Sequence, residues 1–314
     1  MFNRPILLII FNRVDSLPLL INVLRQIQPT KVYIAADGPR QSRLEDIDKC
    51  EQTRKLALDS IDWTCEIKTL FQEKNLGCGK APATAISWFF ENEDAGIILE
   101  DDCIPDISFF RFCDELLDKY KNDNRIMEIC GTNRLMKWDI DNQSYYFSCY
   151  SSQWGWATWR RAWNLYDYNI STWRERKAKK IIRSLFPKGR WFDKISQWLD
   201  HTINYPDSLT WWDFQWNYCK NINSGLSIIP KYNLISNIGF TEEATHTFSK
   251  KDPFYNIKRY TMDFPLTHPI YICRDVDLDT ALLNKNIAPR NLLMKYSKIL
   301  YRKIKKWIKI IFHS

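Results

Sequence analysis

The stretch Ala95-Gly96-Ile97-Ile98-Leu99-Glu100-Asp101-Asp102 decides the fold. Its apolar part is short and has no polar face, so it reads as a buried strand of a parallel sheet. Three carboxylates follow without a break. Bare charge cannot stay in such an interior, so either a positive group meets the acids or the strand ends at water. In open parallel sheets, ligands bind outside the carboxyl ends of strands. Side chains alternate along a strand, which predicts that Glu100 and Asp102 face the same way. Two carboxylates beside a cleft suit a hard cation, Mg²⁺ or Mn²⁺, whose shell is completed by diphosphate oxygens and water. The alternative is an acidic turn in which Asp102 or Asp106 caps the next helix.

Upstream of this stretch, strand and helix alternate. Strands are expected over Ile6–Phe11, Lys31–Ala36 and Cys65–Phe71, the second ending at the turn Asp37-Gly38-Pro39. Helices are expected over Leu17–Gln26, over the charged span Arg43–Ser60, and from near Pro82 to Glu93. Such alternation with short links predicts an α/β fold with a parallel, doubly wound sheet and right-handed crossovers. The first strand is followed neither by G-x-G-x-x-G nor by G-x-x-x-x-G-K-[ST], which argues against a dinucleotide dehydrogenase and a P-loop enzyme. Gly77-Cys78-Gly79-Lys80 is a glycine-rich entry to a helix that either approaches a phosphate or makes a plain turn.

Composition bounds the partners. The 314 residues, 45% of them hydrophobic, suit one large domain or two small ones. Nine scattered cysteines without a C-x-x-C pair, and no recognisable signal peptide, point to a reducing compartment. No run approaches the length of a membrane-spanning helix. The net charge of +8 belongs to the end of the chain: nine basic residues and no acid follow Asp279, so residues 1–279 carry −1. Within residues 291–314, apolar residues including Trp307 recur at helical spacing among these bases. That is the pattern of a basic amphipathic helix on an anionic membrane surface, or of a terminal helix packed on the domain with a solvated basic face. The bases elsewhere form no stripe, so nucleic-acid binding is not expected.

Taken together, several segments carry a resemblance. They are Ile9-Ile10-Phe11-Asn12-Arg13, Ala35-Ala36-Asp37-Gly38, Asn75-Leu76-Gly77, Leu99-Glu100-Asp101-Asp102-Cys103-Ile104-Pro105, Gln153-Trp154-Gly155-Trp156-Ala157 and Trp211-Trp212-Asp213. Over about residues 5–247 the chain resembles a nucleotide-sugar glycosyltransferase of the GT-A fold, in the style of bacterial proteins distantly similar to the N-acetylglucosaminyltransferase I family. The resemblance implies a nucleotide-sugar-binding α/β half at 1–130 and an acceptor-binding and catalytic-base half of the same domain at 131–280, while the basic amphipathic pattern sets off a membrane-surface tail at 281–314. It departs from the interrupted D-x-D of many relatives, since the triplet here is Glu-Asp-Asp.

The roles that follow are those of the resemblance. Phe11, Asn12, Arg13, Asp37, Asn75, Gly77 and Lys80 would surround the nucleotide, Asp37 accepting from the uracil ring. Asp102 would bind Mn²⁺ or Mg²⁺ directly, while Glu100 and Asp101 hold water, ribose or sugar hydroxyls. Asp213 would be the general base. Trp154, Gly155, Trp156 and Trp212 would flank the acceptor. His246 is either a late metal ligand, as in some GT-A enzymes, or structural. Each of the others has a plainer role open to it: Arg13 as a surface residue, Asp37 as a turn former, Asp213 as a helix cap, and most of the ten tryptophans between Trp154 and Trp216 as core.

The expected activity is metal-dependent, inverting transfer of a sugar from a nucleotide-diphosphate donor to a glycan or lipid-linked acceptor. UDP-N-acetylglucosamine is the donor by resemblance alone. The expected location is cytoplasmic, peripheral on the inner face of the cell membrane. A sugar-nucleotide nucleotidyltransferase shares the sheet and the acids but usually opens with a basic glycine-rich loop, which Phe11-Asn12-Arg13 does not provide. A non-catalytic glycan-binding module would use the tryptophans without chemistry.

Overall fold

Leu7 and Leu8 are both fully buried although they point to opposite sides of their strand, so the sheet needs cover on both faces. A computed structural model describes residues 1–186, 189–206, 209–240 and 252–287. In chain order the first elements are β1 (Ile6–Ile10), α1 (Leu17–Ile27), β2 (Lys31–Ala36), α2 (Glu45–Asp59), β3 (Glu66–Phe71), α3 (Gly77–Asn92) and β4 (Ala95–Glu100). Next come β5 (Cys103–Pro105), α4 (Ser108–Lys119), β6 (Ile126–Cys130), β7 (Tyr145–Ser148), β8 (Trp156–Trp159) and α5 (Arg160–Trp163). A 3-10 turn at Ser171–Arg174 leads into α6 (Arg176–Leu185) and α7 (Gly189–Asn204). The last elements are α8 (Asp213–Ile222), β9 (Leu226–Pro230), β10 (Ile235–Asn237) and α9 (Val276–Ile287).

Eight strands form one sheet in the order β3-β2-β1-β4-β8-β6-β9-β7. The strands from β3 to β4 are all parallel, β8 and β7 run against their neighbours, and β6 pairs parallel with β9. The fold is therefore mixed α/β with a mostly parallel central sheet, built as the strand-helix alternation predicts through β4. Strand order reverses at β1 and β4, whose register pairs Ile9 with Glu100. That is the switch point at which such sheets open a crevice.

Helices cover both faces. Ile6, Leu8 and Ile10 pack with α1 and α4, where Leu17, Leu20, Leu24, Phe109 and Leu116 repeat at helical spacing. Leu7 and Tyr33 face the other way, onto Ile86 and Phe89 of α3 and a cluster of Trp156, Trp163, Trp212 and Trp216. The segment from the 3-10 turn through α7 closes a separate core around Trp173, Ile182, Phe186 and Trp191 against α8 and Leu283.

Two expectations need correction. Helix α3 starts at Gly77, not near Pro82, because the Asp37 carboxylate accepts the backbone N–H groups of Leu76 and Gly77 and Gly77 takes φ +80°. Gly77–Lys80 is thus the first turn of a helix. The boundary at 281 falls inside α9, whose Leu278, Leu282 and Leu283 are buried. The two spans expected as halves of one domain, 1–130 and 131–280, share one sheet, since β6 and β8 pair directly. Residues 291–314 lie outside the described residues.

A buried ion pair fixes α8 to the sheet. Glu128 of β6 and Lys220 of α8 are both fully buried, 3.5 Å apart. Lys220 also donates to Ser227 of β9. Glu128 further accepts from the Trp216 indole at 3.1 Å, Gln153 at 3.0 Å and Ser227 at 3.2 Å. Removing one member of such a pair leaves bare charge inside. Lys220→Met is expected to destabilise the fold by about 3–5 kcal/mol in urea unfolding, and Glu128→Gln/Lys220→Met by clearly less. Equal losses would show that the charge itself does not matter.

Candidate active site

Strand β4 ends at the first acid, and the chain then turns. This breaks the expected alternation. Asp101 and Asp102 both turn to the same guanidinium, while Glu100 alone of the three lines the large cavity beyond. The positive partner demanded by the acids is Arg13, three residues past the end of β1. It donates to Asp101 at 2.9 Å and to Asp102 in a shorter ion pair. Asp101 also accepts the N–H of Phe11 at 2.9 Å, so the turn after β4 is tied to the end of β1.

The other side of Asp102 is held by β10. The Asn237 amide donates to its Oδ1 at 3.1 Å, which the Cys103 thiol also reaches at 3.4 Å, and the N–H of Ile238 donates to its carbonyl at 2.9 Å. Gly239 follows at closest approach: a Cβ there would overlap the Asp102 carboxylate and lie 3.0 Å from the Arg13 guanidinium. Sequence reasoning missed Asn237, whose type and spacing carry no separate signal.

Crowding shifts the charges. Burial, the Asp102 charge and the Asp101 and Asp213 charges push the Glu100 carboxyl up to about 8, against the pull of Arg13. Burial and Asp102 likewise push Asp101 up to about 6, although Arg13 and the Phe11 N–H oppose it. Burial disfavours the charge on Arg13, but Asp102, Asp101 and Glu100 outweigh it and hold the guanidinium protonated.

A cavity of about 860 Å³ opens from Glu100. Asp213, in the first turn of α8, lines it together with Trp154, Trp198, Trp211, Trp212 and Phe240. Arg134 lies over the Trp154 ring at 4.5 Å and contributes to the same wall. The influence of Asp213 on Glu100 places the two carboxylates within electrostatic reach. Gln153 joins this wall to the buried pair through its bond to Glu128. Glu128 was readable in principle, as a lone acid in the apolar strand Ile126–Cys130; Arg134 was not.

Other expected residues serve different ends. Trp156 is a correction: it is fully buried in β8 and stacked on Trp212 at 5.7 Å, so it supports the groove from behind and cannot touch an acceptor. Gly155 is internal too, its carbonyl accepting from Gly131 at 2.8 Å. Asp37 accepts from Gly38, Leu76, Gly77 and the Asn75 amide, all at 2.8–2.9 Å. Its oxygens are therefore taken up by the loop that enters α3, and burial raises its pKa despite those donors. Asn12 donates to buried Asp46, and the Phe11 ring lies under Arg40. Lys80 is exposed on α3. His246 lies outside the described residues. Trp198 and Trp211 line the cavity although neither was singled out for it.

No family model matches the chain, and no curated protein does. Among solved structures it is similar to S. aureus TarS 1–349 at 9% identity and TM-score 0.39, covering 74% of this chain and 59% of that one. HddC from Yersinia pseudotuberculosis matches at 10% identity and TM-score 0.30, over 50% of this chain and 77% of that one. The inositol-1-phosphate CTP transferase from T. maritima matches at 10% and 0.31, over 52% and 74%. None of these three is an N-acetylglucosaminyltransferase I. Likeness this slight carries no argument about activity, which rests on the geometry above.

The raised Glu100 pKa has a stability consequence. From an ordinary value of 4.5 it rises to about 8, so the folded chain holds this proton more tightly than the unfolded one. The stability it contributes is complete below pH 4.5 and is lost as pH rises through 8. In urea unfolding with chelator present, Glu100→Gln should show a shallower decline across that window than the parent. Identical slopes would contradict the burial of Glu100.

Proposed function

We propose that the chain is a glycosyltransferase that moves a sugar from a nucleotide-diphosphate donor, UDP favoured, to a hydroxyl of a glycan or lipid-linked acceptor. The observation that carries this reading is one cavity holding Glu100, at the carboxyl end of β4, and Asp213, at the start of α8, between aromatic walls. Glu100 belongs to the strand-end crevice where such sheets take nucleotides. Trp154, Trp211 and Trp212 line this cavity, and rings of this kind pack on the apolar faces of sugars.

In this reading the acceptor hydroxyl is a poor nucleophile until Asp213 takes its proton. The new bond forms between that oxygen and the anomeric carbon as the bond to the diphosphate breaks, and the electron pair leaves with the nucleoside diphosphate. A single base opposite the leaving group makes this one displacement with inversion. The sheet-end cluster crowds Glu100, Asp101 and Asp102 around the guanidinium of Arg13, with Asp213 in the same cavity as Glu100. A diphosphate entering so acidic a place needs further positive charge.

The donor set suits a divalent cation of the Mg²⁺ or Mn²⁺ kind, being hard carboxylate oxygen. Among the described residues no group of three or more His, Cys, Asp or Glu is placed to hold a metal ion. Glu100 and Asp102 would hold it, and it would supply positive charge for the leaving diphosphate. Attachment of residues 291–314 to the inner face of the cell membrane belongs to the same proposal.

Incubation with a panel of nucleotide sugars and Mn²⁺ tests the reading by release of nucleoside diphosphate. Pyrophosphate-dependent turnover would favour nucleotidyl transfer instead, and silence across the panel a binding module. Asp213→Asn is expected to lower kcat by about 10²–10⁴ with KM for the donor little changed; a near-normal rate would end its assignment as base. Activity that persists in chelator, or in Asp102→Ala, would remove the cation from the scheme.

A further inference from the structure

We propose that the outer face of α6, continued by the start of α7, is a docking surface for an anionic lipid membrane. The charge of the chain is segregated twice over. Residues 171–195 hold nine bases and two acids, a net +7. The residues after Asp279 carry nine more positive charges, so residues 1–170 and 196–279 together carry −8. A net +7 within 25 residues of an otherwise acidic sequence is a charge run that can direct a field, unlike the mixed surface of a merely soluble helix.

The helix geometry puts this charge on one side. At about 100° per residue, Arg176, Lys180 and Arg183 fall on one face, all exposed. Ala178 and Ile182 lie opposite and are buried against Trp173, Trp191 and Leu199. The apolar face of α6 is thus already taken, and the contact it can make with lipid is electrostatic. Three acids temper the patch: Glu175 and Asp193 are exposed within it, and Asp200 lies 3.8 Å from Lys179.

The same two helices form a wall of the cavity, and there their character changes. Ile182, Phe186, Ile195 and Trp198 face inward, with Lys194 the one base they contribute. On these two helices the other bases lie on the outer side, away from the cavity, which fits an extended anionic surface against which the cavity is held. The inference deepens the proposed function, since a lipid-linked acceptor docked there would meet the cavity along one wall. It is tested by binding alone, so loss of either idea leaves the other measurable.

The test is co-sedimentation of the full chain with vesicles of phosphatidylcholine alone or with phosphatidylglycerol. Arg176→Glu/Lys180→Glu/Arg183→Glu should weaken partition onto the anionic vesicles by roughly hundredfold or more, on the scale of ~1 kcal/mol per base and 1.4 kcal/mol per tenfold. Binding of the parent should fall steeply with salt. Thermal unfolding checks that the variant is folded, as expected for exposed substitutions that keep helix propensity. A matched reversal of Lys303, Lys305 and Lys306 separates the tail from this face. The proposal is overturned if only the tail variant loses binding, if plain phosphatidylcholine binds as well, or if soluble polyphosphate competes at vesicle-equivalent phosphate.

Discussion

Three acids end a buried strand, and one guanidinium makes that possible. Without Arg13, Asp101 and Asp102 would sit as bare charges beside β1, at a cost no local contact could offset. Its ion pairs join the loop after β1 to the turn after β4, and the Phe11 N–H bond to Asp101 repeats the connection through the backbone. Asn237 then closes on Asp102 from β10, so that three separate stretches meet at one carboxylate. The same arrangement leaves Glu100 facing the cavity with a raised pKa. The crevice thus gathers three carboxyl groups around the Arg13 guanidinium at the end of β4.

The second half of the site depends on a different buried charge. Asp213 has its place because α8 is anchored through Lys220 to Glu128 and Ser227 on two strands. A hydrophobic pair of similar size would hold the helix as firmly, since buried ion pairs seldom add net stability. What the ionic version adds is a defined position: Trp216 and Gln153 both donate to Glu128, which ties the tryptophan layer and the cavity wall to the same point. Trp156, stacked behind Trp212, fills the space between that anchor and the groove. Much of the tryptophan in this chain thus shapes the cavity without touching what enters it.

Legibility followed the range of the interactions. Strands β1, β2 and β4 could be placed to within a residue or so because short apolar runs between turn signals are local patterns. The start of α3 could not, because its first N–H groups are met by Asp37 from forty residues away. Asp37 itself reads as a turn or as a base contact in the sequence, and only its four donors show that the loop claims it. Among the tryptophans, spacing alone did not separate Trp154, Trp198 and Trp211, which line the cavity, from Trp156, which does not.

By itself, the sequence determined the alternation that makes a mostly parallel sheet, the acids at the end of β4, and a charge excess concentrated near the end of the chain. These depend on residue type and near-neighbour order, which folding does not change. Only the tertiary structure decided that Arg13 answers the acids, that the chain turns after Glu100 so the triplet divides between an ion pair and a cavity, and that Asp213 shares that cavity. It also turned the bases of α6 to one side of the helical cap, because burial of Ala178 and Ile182 fixed which face was left for water. Each of these outcomes pairs residues far apart in the chain, and charge and burial select such partners only once the sheet has brought them together.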